Sequence, residues 1–141
     1  SLATAKGYLV ARLYRSGVEP LSLITWNIKM NFYFDNNIKK KVISAELQLN
    51  LYRILQEQLK NIHKHAHASL VSIDLKIQKN DILLRIEDNG IGFSEHLLRH
   101  GIGIANMKRR TESFNGKFNI ESSEDNGCIV EMLIPLMENN I

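Results

Sequence analysis

Residues 44–66 carry one long helical pattern, and together with the segments downstream of it they leave few folds open to the chain. Ser44 is suited to cap the helix start, because its hydroxyl can accept from a first-turn amide. At 100° per residue Leu47, Leu51, Ile54, Leu55 and Ile62 share one arc, so one side of the helix is built to be buried. Spacings of four and seven return to a common face, which gives Glu57, Asn61 and Lys64 a second stripe beside the apolar one. A carboxylate, an amide and a cation along the edge of a core helix make a sensible wall for a polar pocket. Each is equally at home on a solvated helix surface, with the lysine snorkelling.

The segments around this helix complete an α+β order. Residues 2–15 repeat apolar side chains at helical spacing, with Leu2, Ala5, Leu9 and Leu13 ahead of Gly17. Residues 23–34 alternate as a strand, placing Trp26, Ile28, Met30 and Phe32 on one side, and Asp35-Asn36-Asn37 turns. After the long helix Val71, Ile73, Leu75 and Ile77 alternate. Lys79-Asn80-Asp81 then turns the chain, and residues 82–87 return as a hairpin partner. Residues 94–100 form a short polar bridge. A helix over 104–114 closes at Asn115-Gly116, and strands near 117–122 and 128–135 are joined by Glu124-Asp125-Asn126-Gly127. The expected fold is a two-layer α/β sandwich with a mixed, mostly antiparallel sheet and helices on one face. The chain is expected to form a single domain over 1–141, long enough to bury a core.

Composition enters as a filter. With 44% hydrophobic and 23% charged residues, the chain has an ordinary globular balance. The net charge of +3 is modest, and Lys39-Lys40-Lys41 and Lys108-Arg109-Arg110 lack interleaved aromatics, so no nucleic-acid partner is expected. A lone Cys128 rules out an internal disulfide and a cysteine-based zinc cage. His63, His65 and His67 alternate, but residues two apart on a helix point some 200° apart and cannot share an ion. No apolar run reaches the roughly 18–20 residues that span a bilayer. A cytoplasmic location is expected, with a longer parent free to be anchored in the inner membrane.

Two glycine motifs carry the chemistry. Asp88 ends a strand and precedes Asn89-Gly90-Ile91-Gly92-Phe93. A carboxylate there can accept from an adenine amino group, with Gly90 and Gly92 letting backbone and base approach. The same letters also make a plain Asp-Asn-Gly turn, and Phe93 serves as well for core as for a pocket cover. Gly101-Ile102-Gly103-Ile104 opens a helix, where backbone amides and the positive end of the dipole make an anion site. Neither a P-loop nor a dinucleotide-binding fingerprint is present. Asn61 can offer its side-chain oxygen to Mg²⁺, which takes few protein ligands when phosphates supply the rest. Glu57, one turn earlier, can orient or deprotonate an attacking group.

Taken together, LYRILQEQLKNIHKHA, DNGIGF, HGIGIANMKRR and the Asn126-Gly127-Cys128-Ile129-Val130 run before Pro135 resemble the ATP-binding catalytic domain of sensor histidine kinases. Its Bergerat fold is shared with type II topoisomerases, the heat-shock chaperone ATPase and mismatch-repair ATPases. The Tyr-Arg-Ile opening and the short lid over 94–100 resemble the subfamily that signals to LuxR/NarL-type response regulators. The resemblance covers essentially the whole chain and implies ATP or ADP with Mg²⁺ as ligands. It implies Asn61 as the magnesium ligand, Asp88 as the adenine reader, and Gly90 and Gly92 in the base pocket. Lys64 and His65 would lie near phosphates and ribose, and Glu57 matches a general base of the ATPase branches. Gly101, Ile102, Gly103 and Ile104 would take the phosphate side, and Cys128 would stand behind the adenine reader. Cys128 occupies the position of a usual threonine, whose hydroxyl supports the aspartate. The activity implied is phosphoryl transfer to a histidine on a separate dimerisation domain, for relay to a response regulator. None of the five histidines sits in a phosphoacceptor context. The chain alone is expected to be monomeric, its parent a homodimer. An anti-sigma-factor-type serine kinase on the same fold, or a degenerate nucleotide-binding regulatory module, are the alternatives.

Overall fold

In a computed structural model of the chain, the residues described are 28–35, 43–94, 100–122 and 124–136. The expected helix over 2–15, the first part of the strand over 23–34, and most of the polar bridge over 94–100 lie outside them. Strand β1 spans Lys29–Phe34. Helix α1 spans Ala45–Asn61 and runs on as a π-helical turn over Ile62–Ala66. Strands β2 (Leu70–Gln78) and β3 (Asp81–Asp88) come next, then helix α2 (Ile102–Glu112) and strands β4 (Lys117–Ser122) and β5 (Cys128–Pro135).

The five strands form one sheet in the order β1-β2-β3-β5-β4. β1 runs parallel to β2, and every other pair is antiparallel. The mixed, mostly antiparallel α+β sandwich expected from the sequence is the fold observed. Period-two alternation decides which side of the sheet is covered. Val71, Ile73, Leu75, Ile82, Leu84, Ile86, Val130, Met132 and Ile134 all point to the helical layer and are buried. Against them pack Leu47, Leu51, Ile54, Leu55, Leu59 and Ile62 of α1 and its π turn, with Ile104 and Met107 of α2. The opposite face is mixed: Leu83 stands opposite Leu133 there, and Arg85 pairs with Glu87 at 2.7 Å and Glu131 at 3.1 Å.

Both helix starts have a local chemical cause. Ser44 Oγ accepts from the Leu47 amide at 3.1 Å, as its side chain predicts. α2 begins at Gly101, which is extended and offers no side chain to the first-turn amides. Asn50 donates to the Arg110 carbonyl at 2.9 Å and ties the two helices together.

Candidate nucleotide site

Register places one row of side chains across the end of the sheet, on the helical face. Val71 pairs with Asp88, Asp88 with Cys128, and Cys128 with Ser122. The rows behind are apolar, so this last row is where the core meets polar chemistry. Asp88 is only 3% exposed. Its Oδ1 accepts from the Gly90 amide at 2.8 Å, whereas Oδ2 is buried without a partner, alone in this among the described residues. Burial pushes the Asp88 carboxyl above its ordinary range; the Gly90 bond opposes this and the nearby Glu87 charge adds to it. A buried carboxylate oxygen with no donor costs about 1–3 kcal/mol or more, which a ligand N–H would recover.

The loop after Asp88 docks on the end of the long helix. The Ile91 amide donates to the Ala66 carbonyl at 2.8 Å, and Asn89 Oδ1 accepts from the Ser69 and Leu70 amides at 2.9 Å each. A Cβ at Gly90 would collide with that Ala66 carbonyl. Gly90 is thus required first by backbone packing, not by the approach of a base. Gly92 has φ 78°, a conformation that glycine adopts without penalty.

Beside this row lies a cavity of about 400 Å³ lined by Glu57, Asn61, Lys64, His65, Phe93, His100, Gly101, Gly103 and Ile104. Its size suits a small-molecule site. The stripe of Glu57, Asn61 and Lys64 therefore faces the glycine-opened start of α2. His65 joins them from the wider π turn over Ile62–Ala66. A Cβ built on Gly103 would stand 2.6 Å from Glu57 Oε1 and 3.2 Å from Asn61 Oδ1. Two oxygens thus converge on one point that only a glycine leaves open. A hard cation such as Mg²⁺ favours this donor set, so the residues fit the metal that the sequence implied.

Not every expected residue lies on this wall. Asp88 and Cys128 stand in the sheet behind it, Gly90 and Gly92 lie in the docked loop, and the side chain of Ile102 is outside the described residues. Asp88 itself borders a different depression of about 400 Å³, with Leu70, Ser72, Glu87, Asn89, Asp125 and Asn126. Its charged lining is acidic, which makes it the poorer place for phosphates. Of the wall residues, Phe93 was left open in the sequence between core and pocket cover, and His100 was given no role. Phe93 packs edge-on against His65 with ring centroids 6.4 Å apart. His100, immediately before Gly101, was signalled only by its position at the helix start. Among the described residues, no group of three histidine, cysteine or acidic side chains could hold a metal. No described helix is long and apolar enough to cross a membrane.

Cys128 is 1% exposed and its thiol is pushed up to about 12, by burial first and by the Asp88 charge second. It receives a long contact from Gln58 Nε2 at 3.9 Å. Phe93 and Ser122 close the row, the Phe93 amide donating to Ser122 Oγ at 2.7 Å.

A buried aspartate at a strand end, an amide and a carboxylate on the facing helix, and a glycine-opened helix form one neighbourhood. The family described as histidine kinase-, DNA gyrase B- and HSP90-like ATPases matches residues 46–138, most of the chain. The chain belongs to this family. The oxygen sensor histidine kinase NreB of Staphylococcus carnosus is 30% identical over 115 residues, covering 80% of the chain and 33% of NreB. The sensor histidine kinase ComP of Bacillus subtilis is 36% identical over 115 residues, covering 77% of the chain and 15% of ComP. The chain thus spans a third or less of the length of these relatives. The histidine kinase domain from the Erythrobacter litoralis EL346 blue-light activated histidine kinase shares the fold. Its TM-score is 0.70 at 22% identity, over 91% of this chain and 61% of that one.

Proposed function

We propose that the chain is the catalytic domain of a two-component sensor histidine kinase, moving the γ-phosphoryl group of ATP to a histidine on a separate dimerisation domain. The observation that carries this reading is the buried, unpartnered Asp88 Oδ2 in one small fold with a cavity of paired oxygens and a glycine-opened helix. In this reading Asp88 Oδ2 accepts from the adenine N6 amino group. The first-turn amides of α2 and the Lys64 ammonium receive the phosphates. Asn61 would hold Mg²⁺ through its side-chain oxygen, with the Glu57 carboxylate beside it. When bound, the ion neutralises phosphate charge as the transfer proceeds. The attacking imidazole nitrogen forms a bond to the γ-phosphorus as the bond to the ADP oxygen breaks. Glu57 is the group assigned to orient the imidazole and take its proton.

The Tyr-Arg-Ile opening and short lid, which resemble the LuxR/NarL-paired subfamily, support a response regulator of that class as the onward acceptor. The relatives are sensor histidine kinases, which favours this reading over a serine kinase.

The test is a calorimetric titration with ADP and ATP, with and without Mg²⁺. Saturable binding of both, strengthened by Mg²⁺ for ATP, is expected, and Asn61→Ala is expected to abolish the magnesium dependence. Absence of binding would make the chain a degenerate module. Persistent magnesium dependence in Asn61→Ala would remove Asn61 from the metal site.

A further inference from the structure

Gln58 is fully buried, yet it lies on the helix between Glu57 and Asn61. The other buried polar side chains of the helical layer, Asn50 and Thr111, bond to helix carbonyls and serve packing. Gln58 differs, because both ends of its amide turn to residues of the nucleotide site. Nε2 donates to Cys128 Sγ at 3.9 Å, and Oε1 accepts from Asn61 Nδ2 at 3.4 Å. An amide has one donor end and one acceptor end. With its donor end toward Cys128, Gln58 presents an oxygen to Asn61, and only the nitrogen of Asn61 can meet it. The Asn61 oxygen is thereby turned the other way, toward the open point above Gly103.

We propose that Gln58 is a positioning residue that sets the amide orientation of Asn61, so that an oxygen and not an N–H₂ group faces the metal. The inference rests on the assignment of Asn61 to Mg²⁺. A flipped Asn61 would present two N–H donors to a cation and lose binding without any change of fold. Cys128 is the group that the Gln58 donor end meets in this arrangement.

The experiment titrates the unsubstituted chain, Gln58→Met and Gln58→Glu with ATP, each with and without Mg²⁺, and with ADP without Mg²⁺. Methionine keeps the volume but not the hydrogen bonds. Glutamate in its neutral form keeps both a donor and an acceptor. The magnesium enhancement of ATP binding is expected to fall about tenfold or more in Gln58→Met, the usual effect of losing a group that orients a metal ligand. Magnesium-free ADP affinity stays unchanged, and Gln58→Glu retains the enhancement. An unchanged enhancement in Gln58→Met, or ADP affinity falling in step with it, overturns the inference alone. An unsubstituted chain without magnesium enhancement overturns the assignment of Asn61 and the inference with it. If Gln58→Met does not fold, the side-chain amide of Asn61 in the unsubstituted chain decides by ¹⁵N relaxation. An ordered amide before nucleotide is added supports the inference, and a mobile one overturns it.

Discussion

Asp88 holds two opposed energies in one carboxyl group. Burial makes its charge costly, while an adenine amino group needs that charge as acceptor. Its carboxyl lies above the ordinary range in the fold, chiefly through burial. From about pH 4 up to the raised value, the folded chain keeps a proton that the unfolded chain has lost. Stability of the nucleotide-free chain is therefore expected to fall as pH rises through that window. ADP affinity is expected to rise over the same window, because the carboxylate form accepts the stronger bond. Thermal midpoints and calorimetry at stepped pH check the two opposite slopes. Asp88→Asn removes the titration and the charge-assisted bond, worth about 1.5–3 kcal/mol. ADP affinity should drop about ten- to a hundredfold, with the fold unchanged by circular dichroism. A variant that binds as tightly as the unsubstituted chain would end the assignment of Asp88 to adenine.

At the scale of elements, the joint between α1 and β2 is where regular geometry gives way. The helix ends in a wider π turn over Ile62–Ala66, Lys64 and His65 of that turn both line the cavity, and His67 ends it in a left-handed conformation at φ 49°. The loop from β3 then seats on that end through Gly90. Two glycines at this joint are expected to respond differently to alanine. Gly90→Ala drives a methyl into the Ala66 backbone, which cannot yield without moving the helix end. A loss of about 1–3 kcal/mol in chemical denaturation is expected. Gly103→Ala meets only the side-chain ends of Glu57 and Asn61, which can swing aside. Its stability should stay within about 0.5 kcal/mol of the unsubstituted chain. Magnesium-dependent ATP binding should weaken, because the methyl fills the point where the two oxygens converge. If Gly103→Ala unfolds the chain or leaves ATP binding intact, that point is not the metal site.

For the whole molecule, a ligand that binds only the folded state adds stability by mass action. ADP at a hundred times its dissociation constant should add about 2.7 kcal/mol, a rise of several degrees in Tm. Asp88→Asn should lose about half or more of that rise at the same ADP concentration, which a thermal-shift series would read directly. How far such behaviour was legible beforehand depends on the range of the interactions. Local signals predicted the Ser44 cap, the apolar arc from Leu47 to Ile62, the 79–80 turn and the alternation that ends at Asp88. Each depends on neighbours a few residues away, so the chain carries that information in its own order. The stripe of Glu57, Asn61 and Lys64 was legible for the same reason. The sequence could not say that Gly90 faces the Ala66 carbonyl, that Gly103 faces Glu57 and Asn61, or that Gln58 lies between Asn61 and Cys128. Gly90 and Ala66, Gly103 and Glu57, and Gln58 and Cys128 lie tens of residues apart on different elements, and only the docking of two helices on the end of the sheet sets their distances. Sequence periodicity determined which faces are buried and which motifs stand at element ends. Tertiary packing decided which of those ends meet, because a side-chain contact is fixed by sheet register and helix approach, and no local pattern encodes either.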